Sequence, residues 1–96
     1  MEVTLRLNQK NHGAFYLVQN NEQVGEMVIG VADDLLTVYH TEINEKAEGH
    51  GLAMKLVEAM VAYAREHHLK VIPRCAYVHA QFKKHPELYN DVWKKE

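Results

Sequence analysis

At 96 residues the chain has room for one hydrophobic core, and dividing it in two would leave each half too small to be stable alone. Its 47% apolar and 25% charged residues are those of an ordinary soluble globular domain, and no apolar run approaches the roughly 20 residues that span a bilayer, so no membrane partner is expected. A net charge of -2 with both signs interspersed argues against a general nucleic-acid binder, while a single cysteine excludes an internal disulfide framework and points to a reducing, cytoplasmic setting.

The opening residues Met1–Arg6 lack the basic and apolar regions of a signal peptide. Val3, Leu5 and Leu7 instead alternate with Thr4, Arg6 and Asn8, which predicts a strand with one apolar face. Asn8–Gly13 is loop chemistry, and Ala14–Val18, rich in aromatic and β-branched residues, predicts a second strand. Asn20 and Asn21 tolerate the positive φ of a tight hairpin turn into a third strand, Gln23–Val31. Asp33-Asp34 turns the chain again, and a fourth strand begins at Leu35. Its near-continuous apolar start suggests cover on both faces.

The period then changes. Leu52, Ala53, Leu56, Val57, Met60, Tyr63 and Ala64 recur at three- and four-residue spacing, with Lys55, Glu58, Arg65 and Glu66 on the other side. This predicts an amphipathic helix ending near His67-His68. A short strand, Lys70–Cys75, follows, in which Pro73 can donate no ladder hydrogen bond. A second helix runs from Tyr77 to Lys84, and Pro86 opens a last helical turn through Tyr89. The strand–helix–strand unit Leu35–Ile43, Leu52–His68, Lys70–Cys75 requires two parallel strands joined by a right-handed crossover. The predicted fold class is therefore α/β (α+β), a curved, mostly antiparallel sheet with one parallel crossover, in one domain spanning residues 1–96. Ligands of such units sit beyond the carboxyl ends of the strands, here Thr41–Gly51 and Cys75–His79.

Glu48-Gly49-His50-Gly51-Leu52-Ala53 sets two glycines before the long helix. The first amides of a helix lack intrahelical partners and attract anions, and glycine lets a phosphate approach the backbone. By spacing alone the pair reads equally as a helix start eased by glycine. The ordered set of His40-Thr41-Glu42-Ile43, Glu48–Ala53, Lys55-Leu56-Val57, Val71–Cys75 and His85-Pro86-Glu87 closely resembles a family of very short GNAT-like N-acetyltransferase domains, over about residues 13–93. The resemblance implies an acyl-CoA cofactor, acetyl-CoA or CoA, and an amine acceptor whose identity leaves no trace in the sequence. It implies that Gly49, His50, Gly51, Leu52 and Ala53 hold the pyrophosphate, with Glu48 standing where the family carries Arg or Gln. It also implies that the backbone at Thr41, Ile43 and Asn44 pairs with pantetheine.

Three side chains are candidates for chemistry. Cys75 ends the second parallel strand, where short relatives also carry cysteine; it reads as a thiol beside the thioester or as a small buried apolar residue. His40 and Glu42, two apart on one strand, share a face, and either could take a proton from an amine. Their plainer readings are a hydrogen-bonded histidine in the sheet and a carboxylate capping the next loop. In this register Phe82 stands near the tyrosine that serves the superfamily as general acid, with Tyr77 or Cys75 as substitutes. The seven histidines and one cysteine complete no zinc set, so no metal is expected. The expected activity is N-acyl transfer, with a non-enzymatic acyl-CoA-binding module as the alternative. A homodimer could complete the acceptor site.

Overall fold

The computed structural model describes residues 1–47 and 51–96. Its elements are β1 (Glu2–Leu7), β2 (His12–Gln19), β3 (Glu22–Ala32), β4 (Leu35–Ile43), a 3-10 turn (Glu45–Ala47), α1 (Leu52–Glu66), β5 (Lys70–Pro73), α2 (Ala76–Lys84) and α3 (Pro86–Tyr89). The five strands lie in sequence order in one sheet, antiparallel from β1 to β4 and parallel between β4 and β5. The predicted meander and single crossover are both present. Asn20 and Asn21 adopt φ of 54° and 64° between the paired Gln19 and Glu22, the two-residue hairpin that only αL-tolerant residues form easily. Gly13 is required for a different reason: a Cβ there would lie 1.8 Å from the Arg6 carbonyl oxygen on the neighbouring strand.

One face of the sheet carries Phe15, Leu17, Met27, Ile29, Leu36 and Val38, which join α1, α2 and α3 in a single core. Helix α1 contributes Leu52, Leu56, Val57, Met60, Val61 and Ala64, the stripe that its period predicted. Its end departs from expectation by two residues. His68 takes φ 57°, its N–H bonds the Arg65 carbonyl, and the Leu69 N–H bonds the Ala64 carbonyl at 2.8 Å, closing the helix as a Schellman motif. Burial of β4 is one-sided where cover on both faces was expected: Leu36 and Val38 are buried while Leu35 and Thr37 are only half-buried. Strand β5 stops at Pro73, the residue that lacks a ladder donor.

Residues 92–94 run beside β5, with the Val71 N–H on the Val92 carbonyl and the Lys94 N–H on the Val71 carbonyl. Beneath them Phe82 stacks on Tyr89 at 4.8 Å and meets Trp93 edge-on at 5.9 Å. Arg65 bonds both carboxylate oxygens of Asp91, at 2.9 and 3.1 Å, and fastens α1 to this segment. Among the described residues no helix is long and apolar enough to cross a membrane.

Candidate functional site

Strands β4 and β5 pair only from Leu35↔Lys70 to Val38↔Pro73. The Val38 carbonyl then accepts both the Arg74 and the Cys75 N–H, each at 3.0 Å, and the chain turns into α2. From Tyr39 to Ile43, β4 has β3 on one side and, among the described residues, no strand on the other. The Asn44 N–H donates to the Val24 carbonyl at 2.8 Å, which fixes the parity of this edge. Backbone groups of His40, Glu42 and Asn44 turn to β3, while those of Thr41 and Ile43 turn to the open side. Asn44 is held further by its side chain, whose Oδ1 accepts the Lys46 N–H at 3.1 Å and starts the 3-10 turn.

A β-bulge decides which side chains flank this opening. Ile29 pairs with Val38 and Val28 with His40, so Tyr39 is the extra residue. In an unbroken strand His40 and Glu42 would follow Leu36 and Val38 into the core. The bulge reverses the alternation: Thr41 and Ile43 become the core-facing pair, and His40 and Glu42 stand outside with side chains 63% and 69% exposed. Nε2 of His40 lies 4.0 Å from Oε2 of Glu42, so the two do share a face. Cys75, 7% exposed, lies on the opposite side, where its thiol donates to the Thr41 hydroxyl at 3.4 Å. The three candidate catalytic residues thus divide, with Cys75 and Thr41 on the inner side of the β4 edge and His40 and Glu42 on the outer.

The start of α1 supplies the second part of the site. Gly51 is its N-cap at φ 67°, a conformation that glycine alone adopts at no cost, and a Cβ there would meet nothing within 4 Å. No side chain among the described residues caps the helix, its first turn carries no acidic residue, and Lys55 lies exposed in that turn. Amides at such an end are suited to an anion. Leu52 is buried and Ala53 half-buried. Gly49 and His50, together with Glu48, lie outside the described residues.

Cys75 is in turn the N-cap of α2, again without a side-chain hydrogen bond. Two residues along, Tyr77 is half-buried, and its hydroxyl is pushed above its ordinary pKa by burial first and by Tyr89 and Cys75 next. Phe82 is fully buried in the aromatic stack and presents nothing to the opening. At the far end of β4 an open cleft of about 250 Å³, lined in part by Glu26, Glu42 and Glu45, gives the outer approach a negative character. Sequence reasoning missed the Tyr39 bulge and the Thr41–Cys75 contact. The bulge leaves no clear sign in the sequence, because Thr41 is polar and the change of face shows only in the pairing with β3.

A parallel pair parted beyond its fourth residue, with an uncapped glycine-led helix on one side and a second helix starting at a thiol on the other, defines an N-acetyltransferase fold. The family model described as GCN5-related N-acetyl-transferase matches residues 14–92, and the chain belongs to that family. Among solved structures, a GCN5-like protein from Staphylococcus aureus superposes with a TM-score of 0.73 at 27% identity, over 99% of this chain and 89% of that one. The ribosomal-protein-S18-alanine N-acetyltransferase of Escherichia coli gives a TM-score of 0.69 at 16% identity, over 80% of this chain and 53% of the enzyme. A GNAT acetyltransferase of Elizabethkingia anophelis with acetyl-CoA bound gives 0.63 at 16% identity, over 81% and 53%. The chain therefore spans about half the length of these two larger proteins, and at such identities they share the fold alone. No protein of curated function matches the sequence.

Proposed function

We propose that the chain is an acyl-CoA-dependent N-acyltransferase that takes acetyl-CoA and acylates an amine. The observation that carries this reading is the β4 edge from Tyr39 to Ile43, which has no strand partner on one side among the described residues and whose Thr41 is bonded by Cys75 at the start of α2. Thr41 and Ile43 offer that edge an N–H and a C=O each, the complement of the two amides of a pantetheine arm. Gly51, Leu52 and Ala53, with Gly49 and His50, offer backbone amides to the pyrophosphate. Bound there, the cofactor supplies an activated acyl carbonyl. Thr41 orients the Cys75 thiol on the inner side of that carbonyl. His40 and Glu42 stand on the outer side, where the acceptor enters through the negative cleft and either residue removes the amine's proton. The carboxylates Glu26, Glu42 and Glu45 favour an acceptor that arrives as an ammonium ion.

Phe82 favours a second reading. The position that the resemblance gives to a general acid has no hydroxyl and is sealed in the core, which suits a module that binds acyl-CoA without transferring the acyl group. Tyr77, two residues from Cys75, is a nearby hydroxyl that could donate a proton, and burial pushes its pKa upward.

Calorimetric titration with acetyl-CoA and CoA tests cofactor binding. Saturable binding by the wild type, lost in Gly51→Trp, is expected; absence of binding by folded wild type would overturn both readings. Release of free thiol in the presence of an amine panel, abolished in a His40→Ala/Glu42→Gln variant, separates the enzyme from the binding module.

A further inference from the structure

Strand β1 is an edge. Among the described residues it pairs only with β2, from Glu2↔Val18 to Leu7↔Gly13, and its six residues have no strand on the other side. Its parity can be read. The Asn8 N–H donates to the His12 carbonyl at 2.8 Å in the same register, so the even residues turn their backbone groups to β2 and Val3, Leu5 and Leu7 turn theirs outward. These three are also the side chains that pack on the core from its rim and remain only half-buried. The other face of the strand carries Glu2, Thr4 and Arg6. Glu2 and Arg6 are exposed, and neither has an ion-pair partner among the described residues.

Charges on an edge strand ordinarily discourage pairing. Here their order reverses that effect for one partner. We infer that β1 pairs antiparallel with β1 of a second copy of this chain, about a two-fold axis through Thr4. In that register Glu2 of each copy lies opposite Arg6 of the other, Val3 lies opposite Leu5, and Thr4 faces Thr4. Val3 and Leu5, the residues with outward backbone groups, exchange both ladder hydrogen bonds. The ion pairs and the threonine pair line one face, and the apolar pairs continue the core on the other. The register is selected without competition. A slip of one residue puts the apolar side chains on the wrong face. A slip of two sets Glu2 opposite Thr4 or Asn8 and leaves both charges unpaired. The two five-stranded sheets would run on as one sheet of ten strands, with both copies' β4 edges at the far ends and open to ligand. A single six-residue edge buries less than a standard interface, so the dimer is expected to form in the micromolar range and to depend on concentration.

Sedimentation equilibrium from about 10 µM to about 1 mM tests this. Wild type should pass from monomer to dimer. Arg6→Glu and Glu2→Arg should each stay monomeric, because like charges then face each other, and an equimolar mixture of the two should dimerise, because every Glu then faces an Arg. In wild type, exchange of the Val3 and Leu5 amides should slow with rising concentration, while the Thr4 and Arg6 amides, bonded to β2, stay protected throughout; this readout needs no variant to fold. Wild type that is monomeric at 1 mM, single variants that dimerise as wild type does, a mixture that stays monomeric, or Val3 and Leu5 amides that ignore concentration would each overturn the pairing.

Discussion

The two ends of the β4–α1–β5 crossover are made from the same three elements and are built in opposite ways. At one end Leu35–Val38 is paired on both sides, the last turn of α1 is closed by His68 and Leu69, and Arg65 grips Asp91. At the other, among the described residues, Tyr39–Ile43 has no strand on one side and no side chain caps α1 at Gly51, and β5 has already turned away through Cys75. The closed end satisfies its own backbone groups and so provides stability. The open end leaves N–H and C=O groups with no partner among the described residues, free to bond to another molecule or to solvent. The proposed function places binding at the open end and stability at the closed one, and substitutions can separate them.

The largest effect is expected at the closed end. Leu36→Ala removes a fully buried side chain from the doubly paired part of β4 and should cost about 2–5 kcal/mol in urea unfolding. Acyl-CoA affinity should be unchanged where the variant is folded. A comparable loss of affinity would show that the two ends are not separate. Gly51→Ala comes next. A Cβ would meet no atom, so the cost is that of holding alanine at positive φ, about 1–2 kcal/mol in thermal unfolding. The same variant should also weaken the cofactor complex, since the helix start shifts.

His68→Gly should raise stability by about 0.5–1 kcal/mol, because it removes the left-handed strain of a non-glycine residue at the close of α1. Cofactor affinity should again stay constant. The smallest effect concerns pH. The Arg65 hydrogen bond holds the Asp91 carboxyl below its ordinary range. A carboxylate with a depressed folded pKa contributes stability that is fully present above its unfolded value, about 3.9, and is lost as pH falls through the folded value. Asp91→Asn should therefore flatten the acid side of the stability curve below about pH 4. Both partners are about half exposed, so the gain at neutral pH is under about 1 kcal/mol.

The sequence reveals the closed end better than the open one, for a physical reason. Stability leaves its mark in side-chain period. The stripe from Leu52 to Ala64, the alternation of Val3, Leu5 and Leu7, and the paired asparagines of the hairpin all predicted elements that the structure contains. The parted strands have no such mark, because the groups that matter there are backbone groups that every residue carries. Pro73 hinted at the end of pairing, and Gly51 at the helix start, but each is common on its own. What located the opening in advance was the ordered resemblance from His40 to Pro86. The division of Cys75 from His40 and Glu42 was hidden because it depends on one extra residue, Tyr39, whose bulge turns all later side chains over. A two-residue spacing showed that His40 and Glu42 share a face. It could not show which face.

The most direct test of the account follows backbone amides by NMR as CoA is added. The Thr41 and Ile43 amides and those of Gly51, Leu52 and Ala53 should shift together and saturate at one affinity, while the His68–Val71 amides at the closed end stay in place. Saturable shifts confined to any other part of the chain, or none at all, would contradict the claim that the open edge of β4 is where the cofactor binds.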